Sequence, residues 1–499
     1  MRDLVLTLFI LGLLPVAFFR PFVGLMMWAW ISYMNPHRLT WSFAYNFRFN
    51  LIVALITMLG ILFHRQTRLK IPLRSTSVLL IIFVCWTILS AMNGLRPEAA
   101  MNQVDIFLRI QIMVVATMLL VHSRKQIIGI VAVIAFSIGF YGFKGGFFTL
   151  NTGGRHRVMG PEQSFFVDNN HFAAAMIMTI PLIYFLYTHS THRVLRLLML
   201  ATIGFSLLAV LGSYSRGGFV GLAMVGLIFW WKSRHKILSL LAMSLLAVST
   251  FWAMPASWHD RMSPVIDAGL TYLNLLDIEE KKPDATKLPI PPGFAPKAIA
   301  TLPSSGHHSQ PSFEILEMLD EDHELLQDKS VTGRLNAWRL ALLVANDNPI
   351  LGGGFRTFDQ STFDRYTPGV YRHAAHSIYF EILAEQGYVG FGIWLMLQFS
   401  GLHMARWIIR KTRNEPEMSW ANNLARMYQV SMVGYYAAGS FLSMGYFDLP
   451  YHLMGILIMT KINVENHYKL KQQNLRSSPR ASPAANTGHK PMPWQTGTV

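Results

Sequence analysis

Charged residues are scarce in this sequence: they make up 14% of its 499 residues, whereas soluble domains contain about 25%. Cysteine is scarcer still, because Cys85 is the single example and lies inside an apolar run. That count excludes a framework of disulfides within the chain. Since 52% of the residues are hydrophobic, the composition predicts a protein that is largely embedded in lipid, and it excludes an ordinary soluble domain.

The formal net charge of +16 raises the question of nucleic acid binding, but the basic residues are in the wrong places for it. Lys and Arg occur in short clusters between apolar runs, which is typical of the loops of membrane proteins. The sequence therefore predicts membrane lipids as partners and no nucleic acid.

Apolar runs recur along the chain, and a membrane span needs roughly 20 such residues. The runs lie at 4–19, 21–34, 49–63, 76–92, 107–121, 127–147, 171–187, 196–213, 217–231, 237–254, 388–405, 427–445 and 450–463. The first two are short enough to form a hairpin, so we predict 12 or 13 spans. Arg20 and Pro21 follow the first run without a small-residue cleavage site, so we expect this run to be retained rather than removed as a signal peptide.

The predicted fold class is an all-α polytopic membrane protein in four parts. These parts are an N-terminal transmembrane bundle (1–254), a large outward segment (255–375), C-terminal transmembrane helices (376–464) and a disordered cytoplasmic tail (465–499). The tail prediction rests on its Ser, Pro, Asn and basic residues.

The outward segment has structure of its own. It combines a flexible Pro-rich part at 282–312 with amphipathic helices at 313–327 and 333–346. The second helix is predicted to end at Asn348 and Pro349, before three consecutive glycines. Residues 320–324 read Asp-Glu-Asp-His-Glu, and consecutive acids on a helix point in different directions. A solvated face is therefore favoured over a metal site, and we predict no metal and no cofactor.

Basic loops give the orientation, because cytoplasmic loops are enriched in Lys and Arg. From the third run onward every second loop is basic: these loops hold Arg65, Arg68, Lys70 and Arg74; Arg124 and Lys125; Arg193 and Arg196; Lys232, Arg234 and Lys236; and Arg406, Arg410, Lys411 and Arg413. The opposite loops, at 93–106, 148–170, 214–216, 255–375 and 446–449, are predicted to face outward.

The outward side also carries basic residues, among which we single out Arg155, Arg157, Arg216, Arg334 and His376, which is predicted to open the helix that returns to the membrane. Cations at a membrane boundary are costly unless they snorkel, pair or bind a ligand. Guanidinium groups bind phosphate oxygens bidentately, and a histidine can exchange a proton near neutral pH. The group therefore suits a phosphate-bearing ligand.

A structural interpretation stays open beside this one. An arginine at a helix end is often a snorkelling anchor, and a histidine at a helix start is often only a satisfied polar residue. Gly217 and Gly218 are also explained by close helix packing alone.

Several short motifs follow one another in an order that resembles the O-antigen ligase and polymerase superfamily. They are Ser215-Arg216-Gly217-Gly218, Gly333-Arg334 with Trp338, Asn348-Pro349-Ile350-Leu351-Gly352-Gly353-Gly354, and His376-Ser377 followed by Leu383, Glu385, Gly387 and Gly390. The N-terminal part, including Met34-Asn35-Pro36-His37-Arg38, is similar to the O-glycosylation ligase subgroup associated with exosortase systems. The resemblance covers most of residues 1–465. It departs from the family at Ser377, where many relatives have Asn.

The resemblance implies a glycosyltransferase of the bacterial inner membrane whose site faces the periplasm. It would transfer a glycan en bloc from undecaprenyl diphosphate to an acceptor hydroxyl of a protein, the lipid A core or another glycan. Arg216 and Arg334 would hold the diphosphate, with Arg155 and Arg157 as further candidates, and His376 would take the proton of the acceptor hydroxyl.

Two alternatives remain. A glycan polymerase of the same superfamily would use the same donor with another lipid-linked glycan as acceptor. A lipid-linked glycan transporter would need polar residues in mid-membrane, and the apolar runs contain few.

Overall fold

The computed structural model describes residues 1–63, 72–233, 235–263 and 329–477. Within these ranges the chain is helical and contains no strand, which confirms the predicted all-α polytopic membrane fold. The helices are α1 Arg2–Phe19, α2 Pro21–Met34, α3 Phe49–Phe63, α4 Ser75–Met92, α5 Pro97–Leu120, α6 Arg124–Asn151, α7 Asn169–His189, α8 Arg193–Gly212, α9 Arg216–Lys232, α10 Lys236–Ala253, α11 Lys329–Asp347, α12 Gln360–Tyr366, α13 Ile378–Lys411, α14 Ser419–Gly439 and α15 Asp448–Ser477. Residues 256–263 form a further short helix.

Each of the thirteen apolar runs overlaps one of these helices. Seven helices in the described ranges are long and apolar enough to cross a membrane: α1, α4, α5, α6, α7, α8 and α10. The apolar helices α2, α3 and α9 are shorter. The chain is therefore a multi-pass membrane protein, and the number of crossings stays a prediction.

Helix α7 lies in the middle of the bundle, where most of its side chains are buried against α6, α8, α9 and α14. Next to it, α6 and α8 approach each other closely at Gly146. A Cβ atom at this position would lie only 1.9 Å from the backbone oxygen of Phe205. Small residues allow such close approach. The resulting van der Waals contacts favour helix association in lipid, where the hydrophobic effect provides little driving force.

Helix α11 covers the predicted amphipathic helix at 333–346 and ends at the expected Pro/Gly turn. The turn contains Gly352 and Gly354 at φ values of 70° and 77°, a backbone region that favours glycine. The predicted helix at 313–327, the Pro-rich stretch at 282–312 and the acidic residues at 320–324 lie outside the described residues.

Helix α13 begins two residues later than predicted, at Ile378, with Ser377 at the N-cap position, so His376 precedes the helix rather than opening it. Gly387 interrupts α13 with a φ of 68°, and the groups freed by this break are paired by the turn after α11 and by α4. The donor–acceptor pairs are Gly353 N–Ala384 O at 2.8 Å, Gly354 N–Glu385 O at 2.9 Å, Tyr388 N–Pro349 O at 2.8 Å and Trp86 Nε1–Gln386 O at 3.1 Å. The break is therefore satisfied within the protein, as backbone at membrane depth requires.

The last helix continues past the predicted start of the tail. Residues 465–477 are helical, whereas residues 478–499 lie outside the described residues. Two ion pairs tie this extension to the rest of the chain: Glu465 pairs with Arg74, and Lys471 pairs with Glu415. These long-range pairs explain why composition alone did not predict the helix.

The bundle interior contains more polar groups than the apolar runs suggest. His452 is fully buried, with its Nδ1 3.0 Å from the hydroxyl of Tyr33 and its Nε2 2.8 Å from the hydroxyl of Thr117. Since each ring nitrogen has a partner, this chain of contacts satisfies a buried polar group between three helices.

Candidate active site where α7 and α9 begin

Two helices begin side by side at one end of the bundle, which we call the site end. The side chain of Asp168 caps α7 by accepting from the backbone N–H of Asn170 at 2.7 Å. The hydroxyl of Ser215 caps α9 by accepting from Gly218 N–H at 2.9 Å, and it donates to Asn170 Oδ1 at 2.8 Å. The two N-termini are thereby held together. Their dipoles favour negative charge at this place.

His376 reaches the same end from the other half of the chain. Its backbone has a φ of 45°, an uncommon value for a residue other than glycine. Its N–H donates to Ser443 Oγ at 2.9 Å, and the carbonyl of Ala375 accepts from Trp338 Nε1 at 2.8 Å. The Trp338 ring also stacks on Phe380 at 4.9 Å. These contacts hold a conformation that costs about 1–3 kcal/mol, and such conformations are concentrated at functional sites.

The electrostatic surroundings favour the neutral form of His376. Its side chain is half-buried, and burial is the main cause that lowers its pKa below the usual value of 6.5. The positive charges of Arg334, His171 and His373 lower that pKa further, against an opposing effect of Asp168. A neutral imidazole offers a nitrogen that can accept a proton.

Arg334 lies on the first turns of α11, close enough to His376 to act on its charge. The preceding Gly333 provides the room, because a Cβ atom there would lie 2.7 Å from the ring of His373. Both sequence-predicted residues, Arg334 and His376, are thus brought together by the structure.

The other predicted arginines lie near Tyr214, which has a φ of 57° just before α9. Arg216 Nε donates to the carbonyl of Arg261 at 3.0 Å, and Arg261 Nε donates to the carbonyl of Tyr214 at 3.1 Å. The guanidinium of Arg157 lies 5.8 Å from the centre of the Tyr214 ring. Arg155 lies in the same loop as Arg157, with an exposed side chain.

Sequence reasoning missed Arg261, which belongs to the short helix at 256–263. Arg261 could have been found from the sequence, because it lies just after an apolar run on the predicted outward side. Sequence reasoning also missed His171, the first residue of the predicted span at 171–187, and Asp168, which lies three residues before that span.

Asp168 and His171 link the two halves of the site. His171 Nδ1 is bonded to the Asp168 carboxylate, and its Nε2 lies 2.9 Å from the carbonyl oxygen of Ser443. Burial raises the pKa of Asp168, but the hydrogen bonds and charge of His171 and the N–H of Asn170 outweigh it, so the pKa lies below its usual value. The carboxylate therefore stays ionised and can face a cation.

One group elsewhere has the residue types of a metal site: Glu415, Glu417 and His467. The His467 Nε2 lies 3.9 and 3.8 Å from carboxylate oxygens of Glu415 and Glu417. Lys471 Nζ lies 2.9 Å from both oxygens of Glu415. The ammonium group already supplies the positive charge that these acids attract.

The fold and the site end define a class: a multi-pass helical membrane protein with arginines, and a histidine whose surroundings favour its neutral form, where its helices begin. Residues 197–395 match the family described as O-Antigen ligase. Residues 1–191 match a family described as of unknown function, DUF5935. No curated protein matches the chain.

The O-antigen ligase match includes Arg216, Arg334 and His376, whereas Arg155 and Arg157 lie outside it. It supports the superfamily inferred from the order of the motifs and indicates an O-antigen ligase-like or polymerase-like membrane enzyme. Such an enzyme uses a lipid-linked glycan donor and a glycan acceptor in the membrane.

Proposed function

We propose that the protein transfers a glycan en bloc from undecaprenyl diphosphate to an acceptor hydroxyl in the periplasm, in protein O-glycosylation or O-antigen ligation. Within the superfamily, we propose that the protein is most similar to the exosortase-associated O-glycosylation ligase subgroup. The observation that carries the proposal is the neutral, half-buried His376 beside Arg334, within the region that matches the O-antigen ligase family.

The reaction breaks the bond between the anomeric carbon of the glycan and the diphosphate oxygen. The acceptor oxygen forms the new bond to this carbon, and its proton passes to the free ring nitrogen of His376. The bonding electrons leave with the diphosphate, whose growing negative charge needs fixed cations. Arg334 and Arg216 supply them, with Arg157 and Arg155 as further candidates. Fixed charges of this kind need no reorganisation as the charge develops.

The residues at the site end need no metal or cofactor for this transfer, since donor activation comes from the diphosphate itself. A polymerase would use the same donor arrangement and differ only in its acceptor. A transporter would use the buried polar groups of the interior instead, and His452 with its two partners is the described example.

Deletion of the gene tests the proposal and separates the alternatives. We expect one glycoconjugate, a protein or the lipid A core, to lose its complete glycan while the lipid-linked donor accumulates. Shortened chains on an otherwise modified acceptor would indicate a polymerase. Donor trapped on the cytoplasmic leaflet would indicate a transporter, and an unchanged set of glycoconjugates would contradict the proposal.

The periplasmic orientation has its own test. Reporter fusions at residue 300 are expected to give a periplasmic signal, and fusions after Arg413 a cytoplasmic one, because the basic loops mark the cytoplasmic side. A cytoplasmic signal at residue 300 would put the site end on the face where the diphosphate-linked glycan is not presented, and the proposed reaction would be wrong.

A further inference from the structure

The first turn of α7 is connected to His376 by two hydrogen bonds through one residue. His171 Nε2 lies 2.9 Å from the carbonyl oxygen of Ser443, and the hydroxyl of the same Ser443 accepts the backbone N–H of His376 at 2.9 Å. Ser443 is 67 residues from His376 and 272 residues from His171 along the chain. A contact of this kind fixes the position of His376 relative to α7.

Both ring nitrogens of His171 face groups that can only accept. A carbonyl oxygen has no proton to give, so Nε2 carries one. The partner of Nδ1 is the ionised carboxylate of Asp168, so Nδ1 carries a proton as well. His171 is therefore a doubly protonated, fixed cation.

The segment that carries Ser443 is held at a second point. Glu381 Oε2, on the first turn of α13, accepts the backbone N–H of Gly445 at 2.8 Å. The charged groups close enough to act on His376 are Arg334 from α11, His373 from the preceding loop, His171 from α7 and Asp168 at the N-cap of α7. Glu381 acts on His171 from α13.

We infer that Asp168 and His171 form a positioning pair, which holds His376 through Ser443 and fixes the positive charge of His171 near it. This inference rests on the proposed function for its catalytic consequence. The pair contacts neither the glycan nor the diphosphate: it acts through the backbone of His376 and through its charge. The left-handed conformation of His376 is the feature that such a clamp has to maintain.

Two substitutions of His171 separate the clamp from the charge. In His171→Gln the amide nitrogen reaches the place of Nε2, so the bond to Ser443 is kept and the charge is lost. In His171→Asn the amide reaches the place of Nδ1, so the bond to Ser443 is lost as well. His192→Gln, at an exposed position before α8, is the matched control.

For His171→Asn we expect kcat to fall on the order of 10- to 100-fold, because a misplaced base loses its alignment. The donor KM should change little, since the arginines remain. For His171→Gln we expect a kcat within a few-fold of the wild-type value at high pH. The plot of its transfer rate against pH should fall off at a pH about one unit higher than in the wild type, because losing a nearby positive charge raises the pKa of His376.

The second measurement does not depend on glycan transfer. Diethyl pyrocarbonate modifies neutral imidazole, so the pH midpoint of His376 modification, followed by mass spectrometry of the purified full-length protein, reports its protonation. The midpoint should move to higher pH in His171→Gln and stay in place in His192→Gln.

The outcomes distinguish this inference from the proposed function. An unmoved midpoint in His171→Gln overturns the role of the charge, and equal rates for His171→Asn and His171→Gln overturn the clamp through Ser443. Absence of transfer in the wild-type protein would instead reject the proposed function, and the midpoint would still test the charge of the pair.

Discussion

Arg334→Ala is expected to abolish glycan transfer, by on the order of 100- to 1000-fold in kcat, while insertion and abundance stay near normal. The physical reason is that the diphosphate gains negative charge as the glycosidic bond breaks. A guanidinium beside His376 stabilises that charge more than it stabilises the bound donor. Transfer from purified lipid-linked donor, measured in detergent or proteoliposomes, gives the rate, and membrane fractionation gives the abundance.

The substitution series makes the test specific for the guanidinium. Arg334→Lys should recover only part of the rate, because an ammonium keeps the charge and loses the two-pronged contact with phosphate oxygens. Arg216→Ala is expected to behave like Arg334→Ala. Arg365→Ala is the matched control, since this arginine lies in the same segment, is 62% exposed and pairs with Asp347 at 3.8 Å. Full activity of Arg334→Ala would remove this residue from the site.

His376→Ala should lose transfer by on the order of 100- to 10,000-fold and still bind the donor, because the arginines remain. Donor binding and transfer are to be measured on the same purified variant. His376→Gln keeps some activity if the ring only orients the acceptor hydroxyl, and none if it takes the proton. Normal transfer by His376→Ala would show that the residue is structural. Joint loss of binding and transfer would place it with the diphosphate-binding arginines.

The pH dependence follows from the same histidine. Burial and the charge of Arg334 lower its pKa below 6.5, so the neutral, proton-accepting form predominates at pH 7. Wild-type transfer should therefore persist as the pH falls through 6.5 and decline only at lower pH, as the ring becomes protonated. In Arg334→Lys the positive charge remains. The decline of the transfer rate at low pH should therefore occur near the wild-type pH, while the maximal transfer rate is lower.

The helices could be predicted from the sequence because each apolar run is a local signal. The Pro/Gly end of α11 is a local signal too. What could not be predicted depends on distant partners. The contact of His171 with Ser443 joins residues 272 positions apart, and nothing in either neighbourhood indicates the other.

The same reason explains the differences in detail. His376 was expected to open α13, but its contacts with Ser443 and its neighbour's contact with Trp338 keep it outside the helix. Residues after 465 look like a tail by composition, yet the pairing of Glu465 with Arg74 extends α15. In both places long-range contacts decided the local structure, which composition and periodicity do not report.

The break at Gly387 divides α13 into two segments. Bilayers differ in thickness, and a helix adapts to its bilayer chiefly by tilting. The portion before Gly387 is fastened to the turn after α11 and to Trp86 of α4, and Tyr388, directly after the glycine, is bonded to Pro349 of the same turn. The remainder of α13 lies in the predicted span. If this remainder tilts to match a thicker or thinner bilayer, we expect the bend to form beyond the fastened residues, so that the segment following His376 stays in place.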